Sequence, residues 1–298
     1  MTQYTPGATQ EQLPLFDDIE SATQVVNVAS VAQRSVFRYP GGKTWFVPYA
    51  RRWLATQPAK PDLLIEPFAG GGIIGLTAIF ENLVERLLLV ELDERVASVW
   101  QTLLGPYAQW LAEKIVTFEL NAGSVERELT SPKQFVHERA FQTILTNRVN
   151  RGGILAAGAG RIKDGENGKG LRSRWYPETL ARRILDIAAL KGRITFVHGD
   201  GMDVLRLCRE QSRVVFFMDP PYTAGGKNAG RRLYTHHEVD HAALFDIANQ
   251  LSGDFIFTYD ESEEVRGLAQ AHGFEINNIV MKNTHHRAQR ELVISRKK

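Results

Sequence analysis

The stretch LLIEPFAGGGIIG (63–75) decides the fold. LLIE is a short apolar run closed by an acid, glycines follow at 70–72, and IIGLTAIFENL (73–83) continues with helical spacing. A buried strand that turns on glycine and opens at once into a helix is the first half of a strand–helix–strand unit. Working outward, RLLLVE (86–91), RITFV (193–197), VVFFMD (214–219) and DFIFTY (254–259) read as further buried strands. DERVASVWQTLL (93–104), MDVLRLCRE (202–210), EVDHAALFDIANQL (238–251) and SEEVRGLAQAHG (262–273) carry helical periodicity, the last meeting a glycine stop. FEINNIVMK (274–282) and ELVISR (291–296) suit a closing antiparallel pair. This alternation predicts an α/β, Rossmann-like chain: a doubly wound, mostly parallel sheet.

Bulk properties narrow the function classes. Of 298 residues, 43% are hydrophobic and 23% charged, which is ordinary for a globular chain. No run approaches the roughly 18 apolar residues of a membrane span, and the first twenty residues lack a secretory pattern. Cys208 is the only cysteine, so an intramolecular disulfide and a cysteine-based zinc site are excluded, and a reducing cytoplasm is the expected setting. Residues 1–34 are polar and aperiodic and read as a flexible tail.

Net charge is only +2, yet it is unevenly spread. Residues 146–193 hold eleven Lys or Arg against four acids. The strand–helix rhythm breaks between about 117 and 192. There SPKQFVHERAFQTILTNRV (131–149) reads as a helix with Ser131 and Gln134 at capping-box spacing. GGILAAGAGRIKDGENGKG (152–170) reads as a glycine-rich loop, and Pro177 opens the helix PETLARRILDIAAL. We read 117–192 as an inserted, mainly helical subdomain between two parts of a catalytic domain, 35–116 and 193–298. Arg148, Arg151, Arg161, Lys163, Lys169, Arg172 and Arg174 in this insert, with Lys227, Arg231 and Arg232 as a second cluster in 193–298, are the candidate phosphate contacts. A solvated basic face is the plainer alternative.

Gly70, Gly72 and Gly75 satisfy G-x-G-x-x-G, and Glu91 follows Gly70 by 21 residues, a spacing that suits a carboxylate on ribose hydroxyls. Taken alone, this fits a nicotinamide-dependent oxidoreductase as well as any other adenosine-cofactor protein. Glu66 shifts the balance, because a pyrophosphate at a helix N-terminus gains from N–H donors and not from a carboxylate beside it. S-adenosylmethionine carries an adenosine, a sulfonium and an ammonium, and no phosphate.

The segment Asp219-Pro220-Pro221-Tyr222 ends the strand VVFFM. An exocyclic adenine amine is a poor nucleophile because its lone pair is delocalised into the ring. Two acceptors on its N–H bonds favour rehybridisation, and the Asp219 carboxylate and Pro220 carbonyl can supply them. Prolines fix φ and bring no competing N–H, and Tyr222 offers a ring face to a base extruded from a duplex.

FRYPGGK (37–43), LLIEPFAGGG (63–72), LVELD (89–93), GDGMDVL (199–205) and DPPY (219–222) together resemble the D12-class N6-adenine DNA methyltransferases, the DNA adenine methylase family, in its α arrangement. The resemblance covers about residues 36–296. It implies a class I methyltransferase fold, S-adenosylmethionine as cofactor with no metal, base flipping, and methyl transfer to adenine N6. It implies Asp219, Pro220, Pro221 and Tyr222 as catalytic. Tyr39, Pro40, Gly42, Lys43, Glu66, Phe68, Gly70, Gly72, Glu91, Asp93, Asp200 and Asp219 are implied for cofactor binding. The implied partners are double-stranded DNA and, in a restriction–modification setting, a cognate restriction enzyme. RNA adenine or cytosine N4 as acceptor, and a DNA-binding regulator without catalysis, are rivals on the same fold. HEVDH (237–241) formally matches the zinc-protease H-E-x-x-H, but its place at a helix start points to capping and packing.

Overall fold

The structure is a computed structural model that describes residues 30–38, 42–156, 158–165, 168–221, 239–282 and 288–297. A 3₁₀ turn (Lys43–Phe46) runs into α1 (Val47–Ala55). There follow β1 (Leu63–Glu66), α2 (Ile73–Phe80), β2 (Arg86–Glu91) and α3 (Glu94–Leu104). A helical stretch comes next: α4 (Ala108–Thr117), α5 (Ala122–Thr130), α6 (Val136–Val149) and α7 (Pro177–Ala189). The chain returns to the sheet with β3 (Ile194–His198), α8 (Gly201–Cys208), β4 (Val214–Met218), α9 (His241–Gln250), β5 (Asp254–Asp260) and α10 (Glu263–Ala271). It closes with β6 (Glu275–Lys282) and β7 (Ala288–Ser295).

The seven strands form one sheet in the order β3-β2-β1-β4-β5-β7-β6. Pairings among β1 to β5 are parallel, and β7 is antiparallel to both β5 and β6. Successive strand residues point to opposite faces, and both faces are covered. Leu64, Leu87, Val215, Phe217 and Ile256 pack with α1 to α3 on one side. Ile65, Phe216, Met218, Phe255 and Phe257 pack with α8 to α10 on the other. That is why these strands read as continuous apolar runs. The sheet is the one expected from the sequence, including the closing antiparallel strand.

The helices α4 to α7 extend the core of the first face: Leu111, Phe141, Ile144, Leu180 and Ile184 belong to the same apolar cluster as Leu64 and Trp100. The helices α4 and α5 were not singled out in the sequence. Two local expectations need correction. Ser131 does not cap α6. It precedes Pro132, which disfavours helical backbone, and it closes α5 in an extended conformation. The helix start is secured instead by Glu138, whose carboxylate accepts the N–H groups of Gln134 and Phe135 at 3.3 Å each. Packing also begins before residue 35: Val31 is buried, and Arg34 pairs with Glu81 at 3.5 Å. Residues 1–29 lie outside the described residues.

Candidate active site

The strand order reverses between β1 and β4, and in an open α/β sheet the crevice beyond such a switch point collects the strand-end side chains. Glu66 ends β1, Glu91 ends β2, Asp200 follows β3 and Asp219 follows β4. All four line a single cavity of about 970 Å³, together with Gly42, Lys43, Phe68, Gly70, Gly72, Asp93, Pro220 and Pro221. Tyr39, Pro40 and Tyr222 lie outside the described residues.

The loop between β1 and α2 needs its glycines. Gly72 caps α2 in the left-handed region at φ 60°, which side chains avoid, and a Cβ there would lie 3.0 Å from the Trp100 ring. Trp100, whose indole N–H donates to the Gly70 carbonyl at 3.0 Å, braces the loop from α3. Glu91 is tied to the same loop: its carboxylate accepts the N–H groups of Gly70, Leu92 and Asp93 at 2.9 Å each. Burial raises its pKa to about 7 against those donors. Asp93 and Asp200 cap α3 and α8, accepting from Arg95 and Met202 at 2.8 Å.

Glu66 is 3% exposed and accepts the Gly75 N–H. Burial, with the Asp219 carboxyl adding to it, pushes Glu66 up to about 8 although Gly75 favours its ionised form. A folded-state pKa above the ordinary carboxyl value means stability that is complete at low pH and lost as pH rises towards about 8. Glu66→Gln is therefore expected to melt near the wild-type temperature at about pH 4. It should gain on wild type as pH climbs towards 8, and equal melting temperatures across that range would contradict this assignment of the carboxyl.

Glycine matters once more at Gly201, where α8 passes against the β1 loop. A Cβ there would fall 2.0 Å from the Pro67 carbonyl oxygen. Gly201→Ala should destabilise the fold by about 3 kcal/mol, read by thermal denaturation, because only backbone movement can relieve the clash.

Lys43 is 3% exposed and sits at the centre of the other wall. Its ammonium lies 3.0 Å from Asp219 Oδ1 and 3.8 Å from Glu291 Oε2 on β7. Burial opposes its charge, but Asp219 and Glu291 prevail and raise its pKa. The Thr258 hydroxyl on β5 donates to Asp219 Oδ1 at 2.9 Å. Glu291 is itself buried, and desolvation raises it to about 7. Thr258 and Glu291 escaped the sequence reading because no local pattern links them to residue 219.

These residues fit the cofactor expected from the sequence. The Gly70–Gly72 backbone is bare of side chains, and Glu66, Glu91, Asp93 and Asp200 surround it with carboxyls. A wall of carboxyls offers acceptors to ribose hydroxyls and to an ammonium but no cation to a dinucleotide pyrophosphate, so it suits a nucleoside without phosphate.

The basic residues divide. Arg148 is 4% exposed, donates to the Val36 carbonyl and lines the cavity with Arg174. Arg151, Arg161, Lys163, Lys169 and Arg172 are exposed. Arg151 and Arg161 are knitted locally, through the Arg161 carbonyl at 3.2 Å and the Asn150 side chain. Lys227, Arg231 and Arg232 lie outside the described residues, as do His237 and Glu238. Of the HEVDH segment, Asp240 caps α9 at 2.9 Å from the Ala243 N–H, and His241 packs on Tyr259 with a 3.1 Å contact to its hydroxyl.

No protein of curated function matches the sequence. Solved structures it is similar to include the rRNA methyltransferase aviRa from Streptomyces viridochromogenes, at 14% identity and TM-score 0.41 over 91% of this chain and 92% of that one. Another is a precorrin-6y C5,15-methyltransferase from Geobacter metallireducens, at 9% identity and TM-score 0.33 over 84% of this chain and 88% of that one. Over residues 39–284, the span that carries the glycine loop, Lys43 and Asp219, the sequence matches the D12 class N6 adenine-specific DNA methyltransferase family, and the chain belongs to that family.

Proposed function

We propose that this S-adenosylmethionine-dependent methyltransferase acts on N6 of adenine in a specific sequence of double-stranded DNA, with the target base everted into the cavity beneath Asp219. The observation that carries the reading is that Asp219 shares one cavity with Glu66, Glu91 and Gly70, and is held there by Lys43 and Thr258. When bound, S-adenosylmethionine supplies a methyl group on an electrophilic sulfonium. Glu66, Gly70, Gly72, Glu91, Asp93 and Asp200 hold the donor, with Gly42, Lys43 and Phe68 lining the cavity beside them.

Asp219 is the acceptor for one N–H of the adenine amine, and the Pro220 carbonyl is the acceptor for the other. Such contacts strengthen as the nitrogen becomes positively charged, so they favour the transition state over the bound substrate. Lys43 and Thr258, both on Oδ1, fix the direction in which the carboxylate faces. Tyr39 and Pro40 are assigned to the donor, and Pro221 and Tyr222 to the walls of the base pocket, Tyr222 as its stacking ring. The exposed basic residues of 151–174, with Lys227, Arg231 and Arg232, contact duplex phosphates.

The test is direct. Purified protein is incubated with labelled S-adenosylmethionine and duplex DNA, single-stranded RNA or duplex RNA, and the modified base is identified by hydrolysis and chromatography. N6-methyladenine in the duplex DNA arm is the expected product. Label confined to RNA or to cytosine would overturn the acceptor assigned here.

A further inference from the structure

The cavity has a second group of lining residues, of opposite charge to the carboxyls at the strand ends. Arg38, Arg148, Arg174 and Arg183 line it beside Ser35 and Tyr176. They come from four places in the chain: the segment before Lys43, the last turn of α6, a 3₁₀ turn at Gly170–Arg174, and helix α7. Each of three is braced from behind. The Arg148 guanidinium donates to the Val36 carbonyl, and Arg183 donates to the Ser35 carbonyl at 3.0 Å. The backbone of Arg38 is clamped by Asn147, which accepts its N–H at 2.8 Å and donates to its carbonyl at 3.0 Å.

Among the described residues the charge on Arg38, Arg148 and Arg183 is not balanced. Arg148 is 4% exposed, and its Nε–H is buried without a hydrogen-bond partner. Burial, then Arg183, Arg38 and Arg174, depress its pKa to about 9, with Tyr176 acting in the other sense. Arg38 and Arg183 are lowered by burial and then by a neighbouring arginine, Arg174 for the first and Arg182 for the second. Among the described residues no carboxylate acts on any of the three. A buried cation without a counterion is costly, and like charges at close range add to that cost. Guanidinium groups converging on one space, with an unused N–H, are complementary to an oxyanion that accepts from several donors.

We infer that Arg38, Arg148 and Arg183 form an oxyanion site inside the cavity, and that its ligand is a backbone phosphate carried in with the everted nucleotide. The choice of a phosphate rests on the function proposed above; the anion site itself does not. An everted nucleotide necessarily brings its own phosphodiesters towards the cavity, whereas a base in the stack leaves them outside. The alternative source of the same chemistry is the α-carboxylate of the methyl donor. Arg38 adjoins the 39–43 segment assigned to the donor, but Arg148 and Arg183 arise from α6 and α7, which contribute nothing to the residues assigned to the donor, and this favours the phosphate.

The experiment uses the full chain. Melting temperature is measured against inorganic phosphate, with sodium chloride at matched ionic strength as control, for wild type, Arg183→Gln, Arg38→Gln and Arg148→Met. Wild type should show a saturable rise that the variants lose. If Arg148→Met does not fold, the variants at the half-buried Arg38 and Arg183 carry the comparison. A phosphate response absent from wild type, or equal in wild type and variants, overturns the site. Donor affinity and the salt dependence of duplex binding then identify the ligand. Loss of about one unit of salt slope per arginine, with donor affinity held, supports the backbone phosphate. A roughly tenfold loss of donor affinity with an unchanged salt slope assigns the site to the donor carboxylate and overturns the phosphate. Wild type that binds phosphate at this site but fails to methylate DNA would remove the proposed function and leave the anion site standing.

Discussion

Asp219→Ala is expected to lower the rate of methyl transfer by roughly 10³-fold or more while leaving the protein able to bind S-adenosylmethionine. Among the described residues Asp219 is the carboxylate that the cavity places at the end of β4, while Glu66 and Glu291 are engaged by the Gly75 N–H and by Lys43. Thr258 offers a hydroxyl to Asp219 and Lys43 offers only donors, so removal leaves groups that compete for the same acceptors as the substrate amine. Glu66, Glu91 and Asp200, the residues proposed above for the donor, belong to other strand ends and keep their backbone partners. Lys43 also keeps Glu291, so the fold should survive. Single-turnover methylation and equilibrium titration of the donor separate the two effects. Wild-type turnover in Asp219→Ala would refute its role, and loss of donor binding equal to the loss of turnover would make it a general structural residue.

Lys43→Met should produce the largest stability loss of any single change in the cavity, and the loss should depend on pH. Breaking a buried pair by removing one partner typically costs about 3–5 kcal/mol. Here the ammonium leaves behind Asp219 and Glu291, the second of which is already raised to about 7 by burial. Without the lysine that had opposed the shift, Glu291 moves further up. Its contribution to the variant is then complete at low pH and is lost as pH rises through that higher value. The wild-type lysine has a raised folded-state pKa, so its own stabilisation is full below about 10.5 and persists across this range. The gap between wild type and variant should therefore widen from mildly acid to alkaline solution. Adding Glu291→Gln to Lys43→Met should narrow the gap at alkaline pH. Chemical denaturation at several pH values checks both, and a constant gap would disprove the proposed coupling.

Much of this could be read from the chain because its signals are local. LLIEPFAGGGIIG announces a strand, a glycine turn and a helix within thirteen residues, and DPPY places an acid and two prolines at a strand end. What was missed is non-local, or is a matter of helical phase. Thr258 reaches Asp219, and Glu291 reaches Lys43 beside it, only because β5 pairs with β4 and β7 with β5. Arg148 was grouped with the exposed basic residues by charge alone. It follows Phe141, Ile144 and Leu145 at the i, i+3, i+4, i+7 spacing of one helical face, and those residues are buried. That periodicity places Arg148 inside, a signal present in the sequence but outweighed by the run of arginines around it. The basic excess of 146–193 was likewise legible, whereas the continuity of α4 to α7 with the core of the sheet depends on packing that no spacing reveals.

The ion triad joins positions 43, 219 and 291, drawn from a turn ahead of the first strand, the end of the fourth and the final antiparallel one. A chain in which β7 has peeled away would hold the lysine with one acid instead of two, and β6 would lose its sole strand neighbour. Damage at that edge of the molecule should thus loosen the lysine that steadies Asp219 and lower methyl transfer without altering the cofactor loop on the far side of the sheet order.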